Sequence, residues 1–358
     1  MASISAYAPK RATILQVAKD AGVSKTSVSR YLGEGRRLLS EPMQKRIAQS
    51  IERLNFKPDR IASSLRGRRT RLIGMVVTDI TTPYTVQVMR SIENAFYQRG
   101  YTLMVCNTDS DPELEANHLQ VLQSYNVEGI ILHTSSGLGD TLGSLQRDHA
   151  PVVLIDRTIE GTELPCISLD NAQAMALGIE HVREQGFHHL LYITQPLGGF
   201  SSREARAQAF DNQLKHQPTL SGEQLELSDE NAEATLVKAL TQLLEQHHAP
   251  CVMCSNAKVA LKTLRVLDKI EGIGKTGFIT FDEEAWSPLV AGGITTIAQP
   301  ADQIGERAAT TLYRQLHEAS LAAQSHSFPA TLHIRRSTQT GAGKQTATRQ
   351  RASLAQGK

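Results

Sequence analysis

From residue 71 onward, short apolar runs alternate with helix-length segments, and the pattern is played twice. RLIGMVV, YTLMVCNTD, EGIILHT and PVVLID are each suited to a strand buried on both faces, and residues 84–99, 112–125 and 139–148 between them carry helical spacing. After Asp170 comes a second series: helix 171–185, strand HLLYIT, helices 203–215 and 231–246, strand PCVMC, helix 256–270 and strand TGFIT. Parallel strands need crossovers, and helices supply them. The two series therefore predict an α/β chain with two open sheets and a cleft between the carboxyl ends of their strands. ITTIAQP, a helix near 301–318 and a final strand near 329–335 are expected to cross back between the lobes. Residues 338–358 show no apolar face and are expected to be disordered.

The first part of the chain is of another kind. Helical spacing runs from Ile14 to Asn55 in three short pieces, near 14–21, 24–31 and 41–54. Ala21-Gly22 breaks the first, Ser24 can cap the second, and Ser40 with Glu41-Pro42 opens the third. The apolar positions Ile14, Val17, Ala18, Val23, Val28, Leu32, Ile47, Ile51 and Leu54 can close one modest core. Two helices joined by a tight turn form a helix-turn-helix, whose second helix can enter a major groove. On that helix, SKTSVSRYLG, small side chains allow close approach to base edges. Lys25, Thr26 and Arg30 are the expected base readers, and Ser24, Ser27 and Ser29 are short donors suited to phosphates, with capping and solvent exposure as the alternative.

Charge divides the chain at the same place. Residues 1–71 hold 16 lysines and arginines against 5 acids, and the remainder holds 22 against 31, so the overall +2 hides a basic head on an acidic body. That division points to a polyanion held by the head alone. Pro58 introduces DRIASSLRGRRTR, long enough for one or two helical turns and too short to be stable alone, so it is expected to order on docking. Leu65, flanked by Ser64 and Arg66, is an apolar side chain among arginines; paired with its copy across a two-fold axis it could wedge into a minor groove.

Several classes fall away. No apolar run of about 18 residues occurs, and MASISAYAPKRATI lacks the apolar core of an export signal, so a cytoplasmic, nucleoid-associated protein without a membrane span is expected. Cys106, Cys166, Cys251 and Cys254 lie in strand-like runs and read as buried hydrophobes. EGIGKTG lacks the glycine a phosphate loop needs and precedes a strand instead of following one. HHAPCVMC puts its cysteines on an extended run with no second matched pair, so no metal is expected. No nucleophile-elbow pattern or coherent catalytic set emerges; neither an enzyme nor a cofactor is expected.

TILQVAKDAGVSKTSVSRYLG, NFKPDRIASSLRG and RLIGMVVTDITTPY, followed by LIDR, SREARAQAF, FITFDEEAW and ITTIAQP, resemble the LacI-type family of bacterial transcriptional regulators over residues 13–337. The resemblance implies a helix-turn-helix DNA-binding domain at 1–57 and a hinge helix at 58–71. It further implies a two-lobed periplasmic-binding-protein-like regulatory domain, with an N-lobe of 72–168 and about 294–323 and a C-lobe of 169–293 and about 324–337. It implies a homodimer, or a higher oligomer, on near-palindromic double-stranded operator DNA, with a small-molecule effector between the lobes. Lys25 and Thr26 match the family's principal base-reading positions, Leu65 its hinge leucine, and Arg206 and Asp282 its pair of polar effector contacts. The chain departs from the family at Thr82-Pro83-Tyr84-Thr85, at Asn256-Ala257, where Asn-Asp is common, and at Ala209. A solute-binding protein is the alternative reading for residues 72–337, and the basic head counts against it.

At the mouth of the cleft the candidates are Tyr84, Asp109, Arg157, Ser202, Arg206, Asn256, Asp282 and Trp286. Arginine suits a carboxylate or phosphate, aspartate suits vicinal hydroxyls, and an aromatic can stack on a sugar face. The set points to a sugar or sugar acid, and WSPLVAGGITTIAQP resembles the family's gluconate- or ketogluconate-responsive branch.

Overall fold

Several helices begin at a side-chain cap, from Thr13, Ser24, Asp111, Asp170 and Asn256. The computed structural model describes residues 12–56, 69–134, 150–215, 217–318 and 324–339. The hinge segment with Ser64, Leu65 and Arg66, the expected helix at 139–148 and the tail beyond Gln339 lie outside the described residues. The chain divides into two units, residues 1–70 and 71–358.

In the first unit α1 spans Ile14–Ala21, α2 Lys25–Tyr31 and α3 Glu41–Arg53. Thr13 and Gln16 cap α1 reciprocally, and Gly22 ends it in the left-handed region at φ 62°, where glycine carries no Cβ penalty. Ser24 Oγ accepts from Ser27 N at 3.0 Å and starts α2. Val17, Val28 and Ile47 are fully buried, and Leu39 and Phe56, absent from the expected core, also close it. Asp20 on α1 accepts from Ser50 Oγ and from the Arg53 guanidinium, each at 2.6 Å, which ties α1 to α3.

In the second unit the N-lobe sheet contains β1 (Leu72–Val77), β2 (Thr102–Asn107), β3 (Gly129–Leu132), β4 (Val152–Ile155), β5 (Cys166–Leu169) and β11 (His326–Phe328), in the order β11-β5-β4-β3-β1-β2. The C-lobe sheet contains β6 (His189–Thr194), β7 (Ser221–Glu226), β8 (Pro250–Cys254), β9 (Gly277–Phe281), β10 (Thr295–Ala298) and β12 (Thr331–His333), in the order β12-β10-β9-β8-β6-β7. The described helices are α4 (Pro83–Tyr97), α5 (Pro112–Ser124), α6 (Asn171–Glu184), α7 (Ser201–Lys215), α8 (Ala232–Gln246), α9 (Ala257–Lys269) and α10 (Ala301–His317). Among the described residues every strand pairing is parallel except β10 with β12. Strand alternation feeds both faces: Ile73, Met75 and Val77 enter the core under α4 and α10, whereas Val76 packs with Leu119 and Leu122 of α5.

The lobe boundaries differ from the expected ones. β10 belongs to the C-lobe sheet and β11 to the N-lobe sheet, so the chain crosses after Ala298 and after Phe328, not near 293 and 323. The single final strand expected near 329–335 is two short strands, one per lobe, separated by Pro329-Ala330. β7, SGEQLE, was not anticipated because it is polar: it is an edge strand pairing only with β6. Gly222 within it approaches β6 so closely that a Cβ would meet Leu190 O at 2.7 Å. The tail does not start at 338. Thr338 is fully buried, with its hydroxyl 2.8 Å from His181 Nε2 and 2.6 Å from Thr295 Oγ1. Among the described residues no helix is long and apolar enough to cross a membrane.

Candidate functional site

The two units each present a candidate surface. On α2 of the first, Val28 is fully buried and fixes the rotation of the helix, so Ser24, Lys25, Thr26 and Arg30 are exposed and Ser27 and Ser29 half-buried. Ser24 is spent partly on capping, since its hydroxyl also lies 2.9 Å from Ser27 Oγ. Lys25 and Thr26 thus stand on the open first turn of a short helix anchored by one valine.

In the second unit a cleft of about 140 Å³ lies between the two sheets. Its walls come from residues just past the carboxyl ends of strands: Asp79 after β1, His133 after β3, Asp156 and Arg157 after β4, Gln195 after β6, Asn256 after β8, Asp282 after β9 and Gln299 after β10. That is where an open parallel sheet leaves side chains unpaired and convergent. Tyr84 from the first turn of α4 and Ser202, Arg203 and Arg206 from the first turns of α7 complete it.

Asp156 is a hub. Its Oδ2 accepts from Ser202 Oγ at 3.1 Å and lies 3.2 Å from His133 Nε2 and 3.6 Å from Arg157 Nε. A carboxylate can only accept, so Nε2 carries the proton in the histidine pair. Burial alone would raise the Asp156 pKa, but the His133 hydrogen bond and the charges around it hold it well below the usual carboxylate range. Burial, then the nearby Arg157, depress the His133 pKa.

Arg206 spreads its guanidinium over three acceptors: Asn171 Oδ1 at 2.7 Å, Ser255 O at 2.8 Å and Gln299 Oε1 at 3.4 Å, and it lies 4.2 Å from the centre of the Phe281 ring. Asp282 accepts from Gln299 Nε2 at 2.7 Å and from Ala257 N at 3.1 Å, yet burial pushes its carboxyl up. Asn256 caps α9 by accepting from Val259 N at 3.0 Å and donates to Gln195 Oε1 at 2.9 Å. The Tyr84 hydroxyl is buried without a hydrogen-bond partner, and burial pushes its pKa well up. At the rim Lys258 of the C-lobe pairs with Asp79 of the N-lobe.

Six of the eight expected effector residues therefore line the cleft: Tyr84, Arg157, Ser202, Arg206, Asn256 and Asp282. Asp109 does not. It follows edge strand β2, is exposed, and accepts from Asn107 Nδ2 at 2.7 Å while Ser110 takes the lining position. Trp286 does not either, because it packs half-buried against the C-lobe core of β6, β8, α8 and α9. Sequence reasoning missed Asp156, His133, Gln195, Arg203 and Gln299. Asp156 had a legible signal, since LID ends its strand as ITFD ends β9.

No group of three or more histidine, cysteine or acidic residues able to hold a metal occurs among the described residues. Cys251 and Cys254 enter two different core clusters on opposite faces of β8, and burial pushes both thiols well up, that of Cys254 to about 12. The charged groups lining the cleft are four cations, Arg157, Arg203, Arg206 and Lys258, against Asp79, Asp156 and Asp282. Such a site can hold a small polar molecule carrying hydroxyls and one negative charge.

Comparison with known proteins agrees with both surfaces. Residues 13–59 match the model of bacterial regulatory proteins of the lacI family, and residues 70–336 that of periplasmic binding proteins and the sugar binding domain of the LacI family. The chain is 40% identical to the HTH-type transcriptional regulator PtxS of Pseudomonas aeruginosa over 335 residues, 92% of this chain and 96% of that protein. It is likewise 40% identical to PtxS of Pseudomonas putida, over 95% of this chain and 99% of that one. Its fold resembles the lac repressor dimer bound to operator and the anti-inducer ONPF, with a TM-score of 0.78 at 20% identity over 92% of this chain and all of that one. With an exposed reading helix in one unit and a two-lobed ligand cleft in the other, the chain belongs to the LacI family of bacterial regulatory proteins.

Proposed function

We propose that this regulator represses genes of sugar-acid metabolism, and that a gluconate-like or ketogluconate-like effector bound in the cleft modulates its hold on operator DNA. The observation that carries the effector class is the charge of the cleft. Lys258 is neutralised by Asp79 and Asp156 by Arg157, with the neutral His133 donating a hydrogen bond to Asp156, and Asp282 faces Arg206, which leaves the charge of Arg203 for the ligand to meet. The hydroxyls of the same ligand would be held by Asp282, Arg206 and Asn256.

On the DNA side Lys25, Thr26 and Arg30 read bases in a near-palindromic operator, and Ser24, Ser27 and Ser29 meet phosphates. The exposure of the first turn of α2 supports that assignment. A homodimer supplies the two half-sites, as the lac repressor dimer does on its own operator. Its place of action is then the cytoplasm, on the nucleoid. A domain division near 57 and 71, with lobes exchanging strands at the two crossings, accommodates this working arrangement.

The test is genomic footprinting of the purified protein with and without gluconate. Footprints beside sugar-acid genes, altered by the acid and not by glucose, are expected. Footprints unaffected by any sugar acid would remove the effector class. K25A and T26A should each shift the ranking of variant duplexes by roughly 1–3 kcal/mol at a contacted base. An unchanged ranking would show that α2 does not read sequence.

A further inference from the structure

Resting on the reading of the cleft as a sugar-acid site, we infer that the carboxylate of the effector docks between Arg157 and Arg203, which share the ring of Phe200. Arg157 follows β4 in the N-lobe, whereas Phe200 and Arg203 stand at the start of α7 in the C-lobe. Their guanidinium carbons lie 4.5 and 4.1 Å from the centre of that one ring. Two like charges converge on a single aromatic from opposite sides of the cleft, an arrangement that an anion between them would relieve.

The hydrogen-bond inventory separates these two arginines from Arg206. A guanidinium carries five N–H donors. Arg157 gives Nη1 to Thr134 O at 2.7 Å, while its buried Nε has no hydrogen-bond partner and stands 3.6 Å from Asp156. Arg203 donates to Pro196 O at 2.8 Å and Gln195 Oε1 at 3.2 Å, both uncharged, and no carboxylate pairs with it among the described residues. Burial and the charge of Arg157 lower its pKa to about 10, so it remains charged at neutral pH. Arg206, by contrast, has an acceptor on each of its three nitrogens and a ring beneath it. The cleft therefore has two ends. Arg206, Asn256 and Asp282 form the hydroxyl end, and Arg157 with Arg203 form the acid end. One unmatched positive charge suits a carboxylate better than a phosphate dianion. A carboxylate held by one arginine from each lobe also gives the effector unequal affinity for open and closed lobes, which a regulatory ligand requires.

The test is calorimetric titration of the full chain with D-gluconate, 2-keto-D-gluconate, neutral D-glucose and D-glucose 6-phosphate. R203Q should weaken binding of the acids ~10- to 100-fold and leave glucose within ~3-fold. F200L keeps both charges but removes the shared ring, and should cost the acids ~3- to 10-fold. Arg203 is partly exposed, so R203Q is expected to fold, and its melting curve checks that. Acid binding equally tight in wild type and R203Q would overturn the carboxylate assignment alone. A wild type that binds neither acid would overturn the sugar-acid reading as well. Glucose 6-phosphate bound more tightly than either acid would overturn the choice of a carboxylate.

Discussion

Asp156 and Asp282 occupy corresponding places in the two lobes. Each follows the strand that stands at the same point in its sheet order, β4 in one and β9 in the other, and each adopts a left-handed backbone, at φ 64° and 72°. A non-glycine residue there costs on the order of 1 kcal/mol, and both lobes bear that cost to aim a carboxylate into the cleft. Their proton affinities are nevertheless shifted in opposite directions. Asp156 is held low by His133 and the arginines around it, and burial raises Asp282, whose donors are one amide side chain and one backbone N–H. The backbone decides where a carboxylate points, and its neighbours decide in which direction its proton affinity moves. The N-lobe aspartate is spent on holding the site together, while the C-lobe aspartate is the one proposed to meet the ligand.

The comparison breaks first at Asp156. D156N removes the countercharge of buried Arg157 and should cost about 3–4 kcal/mol of unfolding free energy, measured by urea titration. D282N should change stability by under about 1 kcal/mol yet weaken sugar-acid binding roughly 10- to 100-fold. If the two variants lost equal stability, the division of labour would be wrong.

Acid titration sharpens the same contrast. The depressed native pKa of Asp156 contributes stability that is present above its unfolded value of 3.8 and lost as pH falls below it. The raised pKa of Asp282 has the opposite sign: its penalty sets in as pH climbs above 3.8. Glu284 lies just beyond it, where burial, then Asp282 and Glu283, raise its pKa to about 7. Folding is therefore penalised as pH rises from 4.5 to about 7. E284Q should gain about 1–2 kcal/mol at pH 8 and nothing near pH 4, seen in melts across that range. The smallest effect is expected from F281L, which removes the ring under Arg206 and should cost effector binding about 0.5–1 kcal/mol with the acid preference intact.

The sequence carried unequal amounts of this. Both βαβ series, the helix-turn-helix with its Ser24 cap and the buried Val28 were legible, because each rests on spacing within a dozen residues. Polar β7 was not, since an edge strand needs no apolar run, and neither was the exchange of β11 and β12 between sheets. In the cleft, Arg157 and Arg206 were readable as cations beside strand or helix ends, whereas Arg203 was indistinguishable from a surface arginine until Phe200 and Gln195 were seen beneath it. Trp286 shows the converse: a lone tryptophan near a strand end looked like a stacking platform and packs half-buried against the C-lobe core.

Sequence by itself determined the order of the helices and apolar strands, the basic head and the residue types available at those strand ends, because period, capping and charge are local properties of the chain. Only the tertiary structure decided which of those ends line one cleft and in which direction the proton affinity of each acid moves. Residues from 79 to 299 converge on one cleft, and a pKa depends on neighbours that are distant along the chain and close in space.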